Sequence, residues 1–346
     1  MVPMPRRTLK AAIKRGALLA AANWQVTLIQ ASADSLFKLL LAAPIIGGIF
    51  LVALAVGSDP SALLSLEWRQ MEGTIVASLM SRPLVVTAFF LAITVVAVGG
   101  SLFVFLVKAG AVATLVRSDR DAGPIEEPPL HASVVARSSR FSVDSYIASA
   151  QTLFPRYARL GFILMGVYLV SGLGFLAVVA RRDPAEGWSL TALFTAAFVL
   201  WITLVNLLYL LVQIVAAADD CSVAAAGGRV AAFLRREPRN VGSVFLLMLA
   251  LIVVATGASL LATAALGLVA FVPFFGLAAL PLQLLAWLLR GLVFQYLGLT
   301  SVGAYLTLYR AFTANHGFSG AQVLGYSGSG SAVLEAHRFT GGSEVR

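Results

Sequence analysis

Histidine, cysteine and acidic residues do most of the chemistry in enzymes and metal sites, and in this chain they are few and scattered. The three histidines, His131, His316 and His337, have no partner at metal-ligand spacing. Cys221 is the only cysteine, so an intrachain disulfide and a cysteine-based zinc site are excluded. The sequence also has no Walker-type phosphate-binding loop. We therefore predict no catalytic residue, no metal site and no cofactor.

Two adjacent carboxylates, Asp219 and Asp220, stand at the end of a long apolar segment. Such a pair could bind a cation, but further oxygen ligands are missing nearby. We interpret the pair as the N-terminal charge and cap of the helix that follows. A membrane-embedded enzyme is the third functional hypothesis, and it requires His131 or this pair to meet other polar groups in a cleft.

Polar side chains within apolar segments are costly in a membrane and are the default candidates for function. Arg290 is the one charge deep in such a segment. We predict that it lies just past Trp287 at the outer end of the last span and snorkels to the headgroups, with an anion or lipid-phosphate contact as the alternative. Asn206 and Gln213 fall on one helix face and either bond to a neighbouring helix or line a polar path. Arg290, Asn206 and Gln213 are the candidate substrate or lipid contacts.

The segments that carry these residues are apolar enough to cross a bilayer. The chain is 59% hydrophobic and 12% charged, against roughly 45–50% and about 25% in soluble domains. A bilayer core about 30 Å thick needs about 20 helical residues. We predict an all-α polytopic integral membrane protein with six spans arranged as three hairpins, in a single membrane domain over residues 1–312, followed by a flexible cytoplasmic tail over 313–346. The predicted spans are residues 36–56, 84–107, 160–179, 190–215, 244–269 and 286–312.

The segment 266–285 is apolar but contains Pro273 and Pro281. Because proline interrupts a helix, we predict a turn that dips into the outer leaflet. A seventh span is the alternative, on the basis of length alone.

The basic residues alternate from one side of the predicted membrane to the other. Of the 25 Lys and Arg residues, 20 lie on the side that holds both chain ends, and five, including Arg290, lie on the other. The positive-inside rule then predicts a bacterial cytoplasmic (inner) membrane protein with both termini in the cytoplasm. A nucleic-acid partner is excluded, because the charges flank apolar segments and form no basic face on a folded domain.

A half-apolar helical segment precedes each hairpin, at about residues 7–30, 141–157 and 221–236. We interpret the unit of interfacial amphipathic helix, span and span as an internal repeat that is used three times. The pattern favours a common origin of the three hairpins over any particular chemistry.

The first of these segments carries Arg6, Lys10 and Lys14 at a spacing of four. This stripe predicts a helix that lies on the anionic lipids of the inner leaflet. The stretch from Ser118 to His131 mixes acidic residues with prolines and is interpreted as a solvated linker.

Two short stretches resemble parts of a large set of bacterial six-helix membrane domains, some of which are attached to glycerophosphodiester phosphodiesterases. The stretches are Asp220-Cys221-Ser222-Val223 with Phe233-Leu234-Arg235-Arg236, and Ala304-Tyr305-Leu306-Thr307-Leu308-Tyr309-Arg310. The first is similar to their amphipathic entry helix and the second to the end of their closing helix. The resemblance implies the six-helix fold and carries no function with it.

The predicted function is therefore non-catalytic. We expect a scaffold or subunit of a larger envelope or membrane complex, in contact with membrane lipids and with protein partners. The alternative is a permease, channel or lipid-handling protein for a small or amphipathic solute that uses Arg290 and Asn206. The absence of an acidic residue from the middle of the predicted spans argues against an ordinary proton- or sodium-coupled carrier.

Overall fold

The computed structural model describes residues 9–56, 83–127, 132–139, 141–180, 188–270 and 275–316, and all the regular structure in them is helical. The helices are α1 (Leu9–Ala22), α2 (Trp24–Val56), α3 (Pro83–Asp121), α4 (Ala132–Arg137), α5 (Val143–Ala180), α6 (Trp188–Ala218), α7 (Val223–Arg236), α8 (Pro238–Ala270) and α9 (Phe275–His316). Six of them, α2, α3, α5, α6, α8 and α9, are long and apolar enough to cross a membrane. The predicted all-α class and the six spans are confirmed.

One end of the bundle is closely packed. It contains α1, α7, the beginnings of α2, α5 and α8 and the ends of α3, α6 and α9, and we call it the basic end. Many side chains of its core are at most 2% exposed, among them those of Leu19, Ala109, Leu211, Phe233 and Tyr305. Burial on this scale in a helical layer indicates that protein, and not lipid, covers these faces.

The rest of the bundle presents large apolar side chains outwards, and we call this surface the apolar belt. A surface of this size is incompatible with water and is satisfied by lipid. Each of the six long helices contributes residues that expose more than half of their surface, such as Leu39, Leu84, Leu173, Leu193, Leu261 and Leu285.

Several helices are longer than the membrane requires. The 39 residues of α3 and the 42 residues of α9 correspond to about 58 and 63 Å at about 1.5 Å per residue, against a core of about 30 Å. These helices therefore extend past the predicted span ends at residues 107 and 312 and form part of the basic end. The linker prediction for Ser118–His131 is wrong at its start, since Ser118 and Asp119 are buried parts of α3.

The segment 266–285 forms neither the predicted turn nor a seventh span over the residues described. Residues 266–270 end α8, and residues 275–285 begin α9, with Pro281 inside the helix. Pro281 is the seventh residue of α9, beyond the first turn, so it removes one intrahelical hydrogen bond without ending the helix. Pro273 lies outside the described residues.

The three segments expected to precede the hairpins are all helical, but they differ in how they join the spans. α1 and α7 are separate helices of 14 residues each. The second segment is continuous with its span, because α5 runs unbroken through Pro155.

The expected contact between α1 and lipid is replaced by a contact with protein. Lys10 is exposed, but Lys14 donates a hydrogen bond to the carbonyl of Glu126 at 2.8 Å, and Arg6 lies outside the described residues. α1 packs along α9 so closely that a Cβ atom added to Gly303 would lie 2.7 Å from the Cα of Gly16. The amphipathic pattern of α1 thus reflects a protein core.

Candidate functional site

Arg290 lies far from the outer end of the last span, where the sequence predicted it. α9 begins at Phe275, so that about 22 Å of helix precede Arg290 at about 1.5 Å per residue. Arg290 shares a cavity with Lys38 of α2, a residue that belongs to the N-terminal basic group. α9 starts well before residue 286, so Arg290 lies further along the helix towards the basic end than the sequence predicted.

The cavity that contains Arg290 lies between α2, α8 and α9 and has a volume of about 470 Å³. Both α2 and α8 pack against α9 but not extensively against each other, so a space is left between α2 and α8. The lining side chains combine charge, hydroxyl groups and aromatic rings. They belong to Asp34, Ser35, Lys38, Thr256, Trp287, Arg290, Gly291 and Phe294.

The charges in this cavity are only partly compensated. Lys38 Nζ donates to Asp34 Oδ2 at 2.6 Å, one turn apart on α2. The guanidinium of Arg290 is exposed and lies 5.7 Å from the centre of the Phe294 ring. Within the described part of the chain no carboxylate lies within ion-pair distance of Arg290. Arg290 and Lys38 against Asp34 leave the lining with a charge of +1.

A third basic residue, Lys108 of α3, lies close enough to Asp34 to attract it electrostatically. Its ammonium group is 5.8 Å from the centre of the Tyr209 ring on α6. Lys108 does not line the cavity, but it adds to the positive potential around Asp34.

The other two candidate residues lie elsewhere in the bundle. Asn206 accepts a hydrogen bond from Tyr168 Oη at 2.5 Å and donates to the carbonyl of Ile202 at 3.0 Å, so its amide joins α6 to α5. Gln213 is 2% exposed in the basic-end core. Its backbone carbonyl accepts from Tyr157 Oη at 3.0 Å, and its side-chain Nε2 has no hydrogen-bond partner among the described residues. Arg290, Asn206 and Gln213 therefore do not form one site.

A second cluster of charges lies inside the basic end, and no local sequence pattern predicted it. Arg15 is 4% exposed and binds Asp119 at 2.6 Å and Glu126 at 2.8 Å, while Arg310 also pairs with Asp119. Burial alone would lower the pKa of Arg15, but the two carboxylates outweigh it and hold the pKa above its ordinary value. A compensated cluster of this kind joins α1, α3 and α9 and offers no open position for a substrate.

The acidic pair after α6 has a different role from the predicted helix cap. Ser222 caps α7, because its Oγ accepts from the backbone nitrogen of Ala225. Asp219 accepts from Tyr309 Oη and from Arg229, each at 2.5 Å. Asp220 pairs with Arg156 of α5 and has a φ of 48°, a conformation that aspartate tolerates better than most residues. The pair therefore fixes the junction between α6 and its neighbours.

His131 and His337 lie outside the described residues, and His316 is the last residue of α9. Over the residues that are described, no group of three or more His, Cys, Asp and Glu side chains is arranged to hold a metal ion. Asp34 and Lys38, which line the same cavity as Arg290, were not predicted as site residues. The sequence feature that could have indicated them is their spacing of four residues at the start of an apolar segment.

These features define an integral membrane protein with six apolar helices and a positively charged cavity between α2, α8 and α9. Comparisons with protein-family models, with curated proteins and with solved structures found no match.

Proposed function

We propose that this protein is a lipid-handling protein of the bacterial cytoplasmic membrane, which holds the headgroup of an anionic phospholipid between α2, α8 and α9. The observation that carries the proposal is the cavity itself, in which Arg290, without a carboxylate partner, lies beside Lys38. Arginine and lysine are the side chains that most often bind phosphate in proteins.

The level of the cavity in the membrane supports a lipid ligand. Leu36 and Leu39 of α2 and Leu289 and Val293 of α9 are exposed members of the apolar belt next to the charged residues. A lipid phosphate at Arg290 would therefore place its acyl chains along these side chains. Because α2 and α8 leave a gap between them, a lipid can enter from the bilayer without crossing a polar barrier.

The charge distribution supports the assignment of the bound lipid to one leaflet. α1 and the end of α9 lie together in the basic end, and the positive-inside rule directs that end to the cytoplasm. The cytoplasmic leaflet holds anionic lipids that basic side chains attract. We therefore propose that the lipid comes from this leaflet and that both termini are cytoplasmic.

The proposal is tested by native mass spectrometry of the full chain in nanodiscs of defined anionic and neutral lipids. We expect Arg290→Ala to weaken retention of anionic lipid by at least about tenfold. Arg159→Ala is the matched control, because Arg159 is an exposed basic residue of α5 that does not line the cavity. Equal retention by the two variants would refute the proposal, as would competition for the site by inorganic phosphate alone.

A scaffold or subunit role in a larger envelope assembly is the second candidate. Arg235, Arg236 and Arg239 are exposed at the junction of α7 and α8, which favours a partner with an acidic surface at the basic end. Purification in mild detergent would then recover a stoichiometric protein partner that Arg235→Glu with Arg239→Glu releases. A protein that purifies alone and retains lipid contradicts this role.

We also propose kinship with the bacterial six-helix domains that include those attached to glycerophosphodiester phosphodiesterases. The two stretches behind this resemblance belong to α7 and to the end of α9, and they meet in space. The rings of Phe233 and Tyr309 lie 5.7 Å apart at their centres, edge to face. The kinship concerns the fold, and the lipid proposal does not depend on it.

A further inference from the structure

We propose that Asp34 makes this cavity select a phosphodiester lipid whose headgroup carries hydroxyl groups over a lipid that ends in a bare phosphate. The chemistry is that of phosphatidylglycerol as opposed to phosphatidic acid. This inference rests on the proposed function, because it assigns the headgroup class of the same site.

Asp34 is placed to bind a donor from the ligand. One of its oxygens accepts the hydrogen bond from Lys38 at 2.6 Å, and its side chain is 30% exposed where it lines the cavity. The described residues supply Asp34 with no second hydrogen bond, so its other oxygen is open to a ligand. A headgroup hydroxyl can donate to that oxygen, whereas a phosphate oxygen next to it is repelled.

The charge of the lining points to the same class. Among the lining residues, Arg290 and Lys38 against Asp34 leave one net positive charge, which a phosphodiester with a single negative charge balances. Lys108 lies outside the lining and acts on Asp34 from there. A phosphomonoester carries about −1.5 to −2 near pH 7, so it would meet the Asp34 carboxylate with excess negative charge. A zwitterionic ethanolamine headgroup has no net charge and leaves the positive lining uncompensated.

The remaining lining residues suit a headgroup with its glycerol backbone. The Ser35 and Thr256 hydroxyl groups offer further hydrogen-bonding atoms, and Trp287 and Phe294 supply apolar surface on the α9 side. Tryptophan favours this depth, where one side of the ring meets lipid and the other meets polar groups. Arg290 would hold the phosphate, and Asp34 would hold the hydroxylated end.

The test uses the full chain in nanodiscs that contain equal amounts of phosphatidylglycerol, phosphatidic acid and phosphatidylethanolamine with identical acyl chains. Native mass spectrometry then measures which lipid remains bound. We expect the unchanged protein to retain phosphatidylglycerol over phosphatidic acid by roughly tenfold, the value of one hydrogen bond to a charged acceptor. Asp34→Asn should remove most of that preference, and Asp34→Glu should keep part of it.

Asp144→Asn is the control, because Asp144 is an exposed carboxylate in the first turn of α5, away from the cavity. The Asp34→Asn variant should still fold, because an exposed ion pair one turn apart contributes little to stability. A melting curve of the variant checks this. If Arg290→Ala abolishes lipid retention while Asp34→Asn leaves the headgroup preference unchanged, the inference is wrong and the proposed function stands. If the Arg290→Ala variant retains anionic lipid as before, both the inference and the proposed function are wrong. A preference of the unchanged protein for phosphatidic acid also overturns the inference.

Discussion

Arg15 shows how one buried side chain can organise several helices. Its guanidinium binds Asp119 of α3 and Glu126 of the following loop and also donates to the backbone carbonyl of Asp119 at 2.9 Å. Every charge in this group has an opposite charge beside it, so the group is tolerated in a region without water. Removal of Arg15 takes one of its two arginine partners from Asp119 and the ion pair with Arg15 from Glu126.

Arg15→Ala should therefore lower the free energy of unfolding by about 3–5 kcal/mol, the usual cost of breaking a buried pair. Thermal unfolding in detergent micelles provides the measurement. Arg235→Ala removes an exposed arginine of α7 and should change stability by less than about 0.5 kcal/mol. Similar melting of the two variants would show that the cluster contributes nothing to stability.

Cys221 gives a pH-dependent prediction in the connection between α6 and α7. Burial raises the pKa of its thiol, and the carboxylate of Asp219 raises it further while Arg229 opposes the shift. Since the thiolate is the reactive form, a raised pKa leaves less of it at any given pH. The pH at which the maleimide labelling rate is half-maximal should therefore lie above about 8.5, the value for an ordinary thiol. Labelling of the unfolded chain in SDS is the control, and identical pH profiles would contradict the prediction.

A polar residue whose partner lies on the preceding helix could be interpreted from the sequence, and one whose partner is far along the chain could not. A bond to a neighbouring helix was one of two roles expected for Asn206, and Asn206 accepts a hydrogen bond from Tyr168 of α5. Arg15 and Asp119 are 104 residues apart, and no local spacing indicates that they meet. Arg290 was a candidate from the sequence alone, but its position along the last span depended on where α9 begins.

The helix pair α3 and α5 packs through two reciprocal contacts between a glycine and an aromatic ring. The ring of Tyr146 covers Gly110, and the ring of Phe105 covers Gly161. Tyr146 Oη also donates to the carbonyl of Val107 at 2.6 Å. Glycine at these positions lets the aromatic side chains lie directly on the opposing backbone, which is a common way for helices to approach closely in lipid.

Gly110→Ala should destabilise the protein by about 1–3 kcal/mol, because the added Cβ would lie 2.7 Å from Tyr146 Cζ and force the ring away. Gly99→Ala is the matched control on the same helix, since nothing lies within 4 Å of its added Cβ. That change should be neutral or stabilising by up to about 1 kcal/mol through helix propensity. Chemical denaturation measures the free energy of unfolding of both variants. An equal decrease in the two variants would contradict tight packing between Gly110 and Tyr146.

The number of spans could be predicted from the sequence because lipid imposes a minimum length of apolar helix. The helix ends could not, since hydropathy does not mark where a helix leaves lipid and enters a protein core. α1 illustrates the difficulty. Its amphipathic pattern suits a lipid surface as well as it suits the contact with α9 that Gly16 and Gly303 form.

For the molecule as a whole, the basic end and the apolar belt divide the long helices into two zones. The level of Arg290 between these zones can be measured with a charged thiol reagent. In a Cys221→Ser background, Arg290→Cys should react with reagent added from the side of the termini. Leu261→Cys should not react, because Leu261 lies in the apolar belt and is covered by lipid. Reaction of residue 290 only from the opposite side would restore its predicted place at the outer end.

The contact between α1 and α9 also has a consequence for how the protein is made. α1 leaves the ribosome before the membrane helices, but Gly303, against which Gly16 packs, is in α9. Tyr296 of α9 also donates to the carbonyl of Ala17 at 3.1 Å. The contact face of α1 must therefore stay uncovered until α9 has been synthesised. A product that stops before α9 keeps this face exposed, and cellular quality control can recognise it there.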